Sequence, residues 1–144
     1  MLIVSDQKGW RKVLAAFLFL LDFIWELPQN TVGFITFLIF RGRCEHRVEE
    51  YPDSDNGILT AWTVSGGLSL GWFTFVSSMS DTRQILHEHG HQIQSRYLGW
   101  LYLIVIGLPS LIWAGIHRYI CPSWDYYAFY TESWADRLGG VVRG

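Results

Sequence analysis

Basic charge is not in excess in this chain of 144 residues, where 11 Lys and Arg face 13 Asp and Glu for a formal charge of −2. That balance argues against a nucleic-acid partner, because phosphate neutralisation needs a basic surface and no basic run here is interleaved with aromatics. Cysteine is scarce as well: Cys44 and Cys121 are too few for a disulfide framework and lack zinc-ribbon spacing, although one bridge between them stays open. Charged residues make up only 17% and apolar ones 50%, which excludes a disordered chain. The length suits one domain, and no repeat or low-complexity tract divides it. What the chain has in quantity is aromatics, with eight Trp and seven Tyr, a supply suited to membrane interfaces.

Two stretches are long and apolar. Val13 to Phe40 is preceded by Lys8, Arg11 and Lys12 and closed by Arg41 and Arg43. No small-residue cleavage site follows it, so it reads as a kinked membrane helix, or two short helices meeting near Pro28, rather than a secretory signal. Asp22, Glu26 and Asn30 share one helical face there, for packing between helices or for lining a protein interior, since ionisable groups facing lipid are costly. Tyr97 to His117 contains no Asp, Glu, Lys or Arg, and roughly 20 residues at ~1.5 Å rise cover ~30 Å of hydrocarbon. Gly107-Leu108-Pro109-Ser110 at its centre would break a helix or turn a re-entrant hairpin, so span and hairpin are both open.

Arg41 to Gly57 reads as a polar loop. Ile58 to Ser78 alternates and then turns rich in β-branched and aromatic residues around Gly66-Gly67, which predicts a β-hairpin. Ser80 or Asp81 caps a helix from Thr82 to about Tyr97. The fold class expected is mainly α with a small β-hairpin, a single membrane-embedded domain over residues 1–144.

The Thr82–Tyr97 helix carries His87-Glu88-His89-Gly90-His91, an HExxH motif. His87 and His91 lie four residues apart on one face, so both imidazoles can reach one ion, with Glu88 beside them to hold a water. His89 points the other way. A catalytic zinc usually takes three protein ligands and keeps one position for water. The third ligand expected is Glu132, on a helix from Ser123 to Leu138. Asp136, one turn on, is placed to accept the Nδ1–H of a ligating histidine. His117, Asp125 and His46 are rival ligands.

HExxH on one helix followed some forty residues later by ExxxD on another resembles the gluzincin class of zinc metallopeptidases, here in a very small membrane-bound form. The resemblance covers Leu68 to Leu138 and rests on His87, Glu88, His91, Glu132 and Asp136. It implies a zincin-like core of active-site helix plus glutamate helix. It also implies a strand, Leu68 to Val76, lying alongside an extended substrate, with Gly71 and Phe73 in contact with it. The implied activity is peptide-bond hydrolysis: Zn²⁺ polarises the scissile carbonyl, Glu88 takes a proton from the attacking water and passes it to the leaving amine, and Asp136 orients a histidine. Thr131 stands where larger members often have Asn, and no large C-terminal domain supplies an oxyanion-stabilising group, for which Tyr126, Tyr127, Tyr130, His117 and Arg137 are the candidates.

If the zinc joins His87, His91 and Glu132, the topology is constrained. The fourteen steps from Arg118 to Glu132 reach only ~21 Å as helix, short of a ~30 Å core. A hairpin turning near Gly107 to Ser110, with Arg96 and Arg118 on one side of the membrane, is therefore expected, against a true crossing with the zinc inside the bilayer. The expected partners are a peptide or protein substrate and membrane lipid. The alternatives are a zinc-dependent hydrolase of another amide and a non-catalytic membrane module with a structural zinc.

Overall fold

The computed structural model describes residues 6–45 and 58–144. Residues 46–57, which include His46 and most of the expected polar loop, lie outside them. The described chain is mainly helical with one small sheet.

Two bent helix pairs dominate. Helices α1 (Asp6–Trp25) and α2 (Leu27–Phe40) meet at Glu26 with a bend of 79°. Pro28 sits in the first turn of α2, where its missing N–H costs nothing but where α1 cannot continue. Helices α3 (Thr82–Leu98) and α4 (Leu108–Tyr119) form the second pair, bent by 119°. No single helix among the described residues is long and apolar enough to cross a membrane, while each bent pair taken together is.

The reversal expected at Gly107–Ser110 is not there. Pro109 falls in the first turn of α4, and a wide π-type turn over Leu103–Gly107 absorbs the mismatch between the proline and the preceding helix. The chain turns earlier, at Gly99–Leu101, where Gly99 takes φ +51° and a side chain would collide with the indole of Trp25.

The two elbows hold each other. Carbonyls at a helix end have no partner in their own helix. Trp25 Nε1 donates to the Arg96 carbonyl at 2.8 Å, and Trp100 Nε1 donates to the Ile24 carbonyl at 2.7 Å. Between them, Gln29 Nε2 donates to the Gly99 carbonyl and to Ser95 Oγ, and Ser95 Oγ donates to Glu26. The polar stripe of α1 and α2 thus faces protein: Glu26, Gln29 and Asn30 are buried, Glu26 against α3, while Asp22 accepts from Trp72 Nε1 and Asn30 from the Trp72 N–H of the sheet.

The sheet has the order β1-β2-β4-β3, with β1 Cys44–Glu45, β2 Ile58–Trp62, β3 Leu68–Leu70 and β4 Phe73–Ser77. It corrects the hairpin expected across Gly66-Gly67. β2 and β4 are parallel, Ile58 opposite Phe73, and the segment between them carries the chain to the far edge, where β3 pairs antiparallel with β4. The tight turn is Gly71-Trp72, whose first residue has φ +62°, as a primed two-residue hairpin turn requires. Asn30 Oδ1 of α2 accepts from the Trp72 N–H at 2.8 Å and fixes that turn.

After α4 the chain returns along it. The helix expected from Ser123 begins only with α5 (Tyr130–Gly139), because the Asp125 side chain accepts from the Tyr127 N–H and starts a separate 3₁₀ turn, Tyr126–Ala128. Trp113 stacks on Phe129 with centroids 4.9 Å apart and donates to the Tyr126 carbonyl. These contacts lay α5 against α3. Cys44 and Cys121 are not bridged.

Candidate metal centre

The site exists because α3 and α5 approach backbone to backbone. A Cβ on Gly90 would run into the Ala135 carbonyl, and one on Gly139 into that of Leu86. Three small residues therefore let α5 bring Glu132 onto the face of α3 that carries His87 and His91. Asp81 starts that helix as expected, its side chain accepting from the Gln84 N–H at 2.9 Å.

His87, His91 and Glu132 are all buried, and one donor atom from each lies within 4.8 Å of the others. Glu132 Oε2 is 3.1 Å from His87 Nε2 and 3.4 Å from His91 Nε2. Atoms bound at ~2 Å around a tetrahedral ion stand about 3.3 Å apart, so these spacings match the edges of a coordination shell. The other nitrogens explain the orientation. His87 Nδ1 is 2.7 Å from Asp136 Oδ1, and His91 Nδ1 is 2.7 Å from Gln94 Oε1, both acceptors. Each imidazole that donates from Nδ1 turns an Nε2 lone pair toward Glu132. Three lone pairs then converge on one point, a repulsive arrangement that a cation relieves. The buried trio is a group able to hold a metal ion.

Glu132 is itself held. Ser110 Oγ and Thr131 Oγ1 both donate to its Oε1, which leaves Oε2 to the histidines. Burial raises the Glu132 carboxyl, but where His87 and His91 carry protons on Nε2 in place of a metal, their hydrogen bonds, with that of Ser110, outweigh it and bring it below the ordinary carboxylate range. Asp136 is likewise lowered, burial being outweighed by Arg143 and then His87. Gln94 Nε2 donates to the Thr131 carbonyl at 2.8 Å, so one amide both orients His91 and ties α3 to α5.

Glu88 is buried on the side of α3 that faces β3. Ser69 Oγ donates to its Oε2 at 2.9 Å, while Oε1 lies against Gly67, where a Cβ would collide with the carboxylate. It is near enough to interact electrostatically with His91, His87 and Glu132.

The remaining expectations separate. Asp125 is spent on its own turn, and His117 Nε2 lies 2.9 Å from the Trp124 carbonyl, so neither joins the group. His89 faces away and meets Gln92. The strand expected from Leu68 to Val76 is two antiparallel strands, with Gly71 in the turn between them and Phe73 opening β4, both under α2: a Cβ on Gly71 would strike Asn30, and Phe73 packs on Phe34. The outward carbonyl of β3, that of Ser69, is taken by Tyr102 Oη at 2.8 Å. Among the oxyanion candidates, Tyr130 Oη donates to the Val105 carbonyl and Arg137 is exposed against Ser133, whereas the Tyr127 ring stands edge-on to His87 with centroids 5.3 Å apart.

Five further residues position this group and carry no motif in the sequence: Gly90, Gln94, Ser69, Ser110 and Arg143. Small residues at Gly90, Ala135 and Gly139 are the one sequence pattern that signals a close helix pair. No protein-family model, curated protein or solved structure matches the chain.

Proposed function

We propose that the protein is a membrane-embedded zinc metallopeptidase. The observation that carries the reading is the convergence of His87 Nε2, His91 Nε2 and Glu132 Oε2 at coordination-shell spacing, with the Nδ1 atoms of both histidines already engaged. Two imidazoles and one carboxylate suit zinc, and among the described residues no fourth His, Cys, Asp or Glu joins the group, which leaves a coordination position for water or substrate. When bound, zinc supplies a Lewis acid that polarises a carbonyl and lowers the pKa of water. Glu88, one residue from His87 and steadied by Ser69, accepts the proton of the attacking water and delivers it to the leaving amine. Asp136 and Gln94 keep the two imidazoles in the tautomer that binds metal. A peptide substrate is favoured by the likeness of the HExxH and ExxxD pair to gluzincins.

Membrane residence rests on where the apolar side chains point. Along α1 nearly every residue from 9 to 25 is exposed, Val13 at 70% and Phe17 at 55%, and α2 and α4 present Ile39 at 70% and Leu111 at 69%. Apolar patches this large mark contact with lipid or another apolar partner. Trp10 and Trp25 stand at the two ends of the α1 run, where interfacial aromatics are expected.

The test is zinc analysis and peptide hydrolysis on the full chain purified in detergent. One zinc per chain, and cleavage of a quenched fluorescent peptide that Glu88→Gln abolishes without loss of zinc, is the result expected. A chain without zinc, or cleavage that survives Glu88→Gln, overturns the reading.

A further inference from the structure

The chain beyond α5 closes over the back of the metal centre. Gly140 ends the helix in the left-handed region at φ +70°, and the Val141 N–H bonds to the Asp136 carbonyl at 2.8 Å, which turns the backbone on itself. Arg143 is thereby aimed at Asp136. Its Nε donates to Oδ2 at 2.5 Å and its Nη2 to Oδ1 at 2.9 Å, a two-pronged grip on both carboxylate oxygens. Oδ1 is the same oxygen that His87 Nδ1 meets at 2.7 Å. The guanidinium also lies over the Tyr127 ring, 3.1 Å from its centroid, and that ring stands edge-on to His87. Arg143 therefore touches both groups that fix the His87 ring.

We propose that Arg143 is a positioning residue of the metal centre, clamping Asp136 so that His87 keeps its Nε2 lone pair on the ion. The proposal rests on the zinc reading above. A carboxylate bonded only to one histidine can rotate and trade that bond for water, whereas a fork holding both oxygens fixes its plane. Arginine stays charged at any working pH, so it also keeps Asp136 an acceptor. The pair is partly shielded, with side-chain exposures of 30% for Arg143 and 11% for Asp136, so solvent screens it less than a surface ion pair.

The experiment measures zinc affinity of the full chain in detergent by competition with a chromophoric chelator. The variants are Arg143→Ala, Arg143→Gln, Arg143→Lys, Asp136→Asn and the Arg143→Ala, Asp136→Asn double. Arg143→Ala should weaken zinc binding about tenfold, the low end of the ~10–100-fold range for groups that orient a ligand. Arg143→Gln keeps a polar stem over Tyr127 and should behave as Arg143→Ala does. Arg143→Lys should recover part of the loss, because it restores the charge without the fork. The double variant should bind no more weakly than Asp136→Asn alone, since Arg143 acts through that carboxylate. In the cobalt-loaded protein, Arg143→Ala should shift the visible absorption bands, which a role in stability alone leaves in place. Zinc bound by the native chain with Arg143→Ala unchanged, or losses that add in the double variant, overturns the proposal and leaves the metal centre standing. A native chain that takes up no zinc overturns the metal centre and this proposal together.

Discussion

The α3–α5 pair and helix α1 follow opposite solvation rules. Around α3 and α5 the interior is polar: His87, His91, Gln94, Thr131, Glu132 and Asp136 are buried between the two helices, and Glu88 and Ser95 are buried on the other faces of α3. Along α1 the surface is apolar, with Val13, Leu14, Phe17, Leu18 and Leu21 exposed, and the helix meets the body of the protein through its last two turns, where Phe19, Asp22 and Phe23 touch Trp72 and Ile24 and Trp25 join the elbow. Water as the sole solvent would favour the reverse of both. Buried polar groups are tolerated when each finds a partner, and here nearly every one is placed by another: Asp136 by Arg143, His87 by Asp136, Glu132 by Ser110 and Thr131, Glu88 by Ser69. Apolar exposure is tolerated when the surroundings are apolar. The contrast teaches that polarity alone misassigns this chain, and that the informative quantity is which groups partner which.

The comparison breaks most sharply at the ligands. His87→Ala, His91→Ala and Glu132→Ala each remove one of three converging atoms and should lower zinc affinity by more than the ~100-fold that a neighbouring group can cause. Metal analysis after dialysis against a weak chelator checks this, and full retention in Glu132→Ala would place the third ligand elsewhere. Glu88→Gln should leave zinc in place and reduce peptide cleavage by about 10²–10⁴-fold, the range for a lost general base.

A pair of glycine substitutions then sharpens the contrast between the two regions. Gly90→Ala forces a methyl against the Ala135 carbonyl and should cost at least ~1–3 kcal/mol while weakening zinc, because Glu132 is pushed off its mark. Gly9→Ala on α1 meets nothing within 4 Å and should be neutral or stabilising by up to about 1 kcal/mol. Thermal melting in detergent separates the two; equal effects would mean that α3 and α5 are not so close. The smallest effect on the metal is expected from Leu18→Lys, at an exposed site on α1. It should leave zinc stoichiometry untouched but reduce recovery with lipid vesicles on flotation, since a lysine inside hydrocarbon costs roughly 2.5–3.5 kcal/mol. Unchanged flotation would move α1 out of the bilayer.

The site was more legible in the sequence than the fold around it. HExxH spacing alone puts His87 and His91 on one helical face, and the i, i+4 relation of Glu132 and Asp136 puts a ligand beside its neighbour's orienter. Those inferences need only helix geometry, which is local. Pro28 marked the first elbow for the same reason. The second elbow was misplaced because a proline is harmless in a first helical turn, and the true reversal depends on Gly99 packing against Trp25, seventy-four positions away. Likewise, the turn at Gly71 is held by Asn30 of α2, and β2 pairs in parallel with β4 across an intervening strand, relations that no local alternation encodes. Ser110 is not legible in the sequence because it meets Glu132 across 22 positions of chain, and Gln94 and Arg143, though close in sequence to His91 and Asp136, are aimed at them by the helix and tail geometry.

Everything in this account depends on one ion at one place. Anomalous diffraction collected on either side of the zinc absorption edge, from crystals of the zinc-loaded full chain, locates it without reference to activity. The account predicts a single peak about 2.0–2.2 Å from His87 Nε2, His91 Nε2 and Glu132 Oε2, with a fourth position taken by a non-protein atom. A peak bound to a different set of residues, a site closed by four protein ligands, or no peak at all would contradict it.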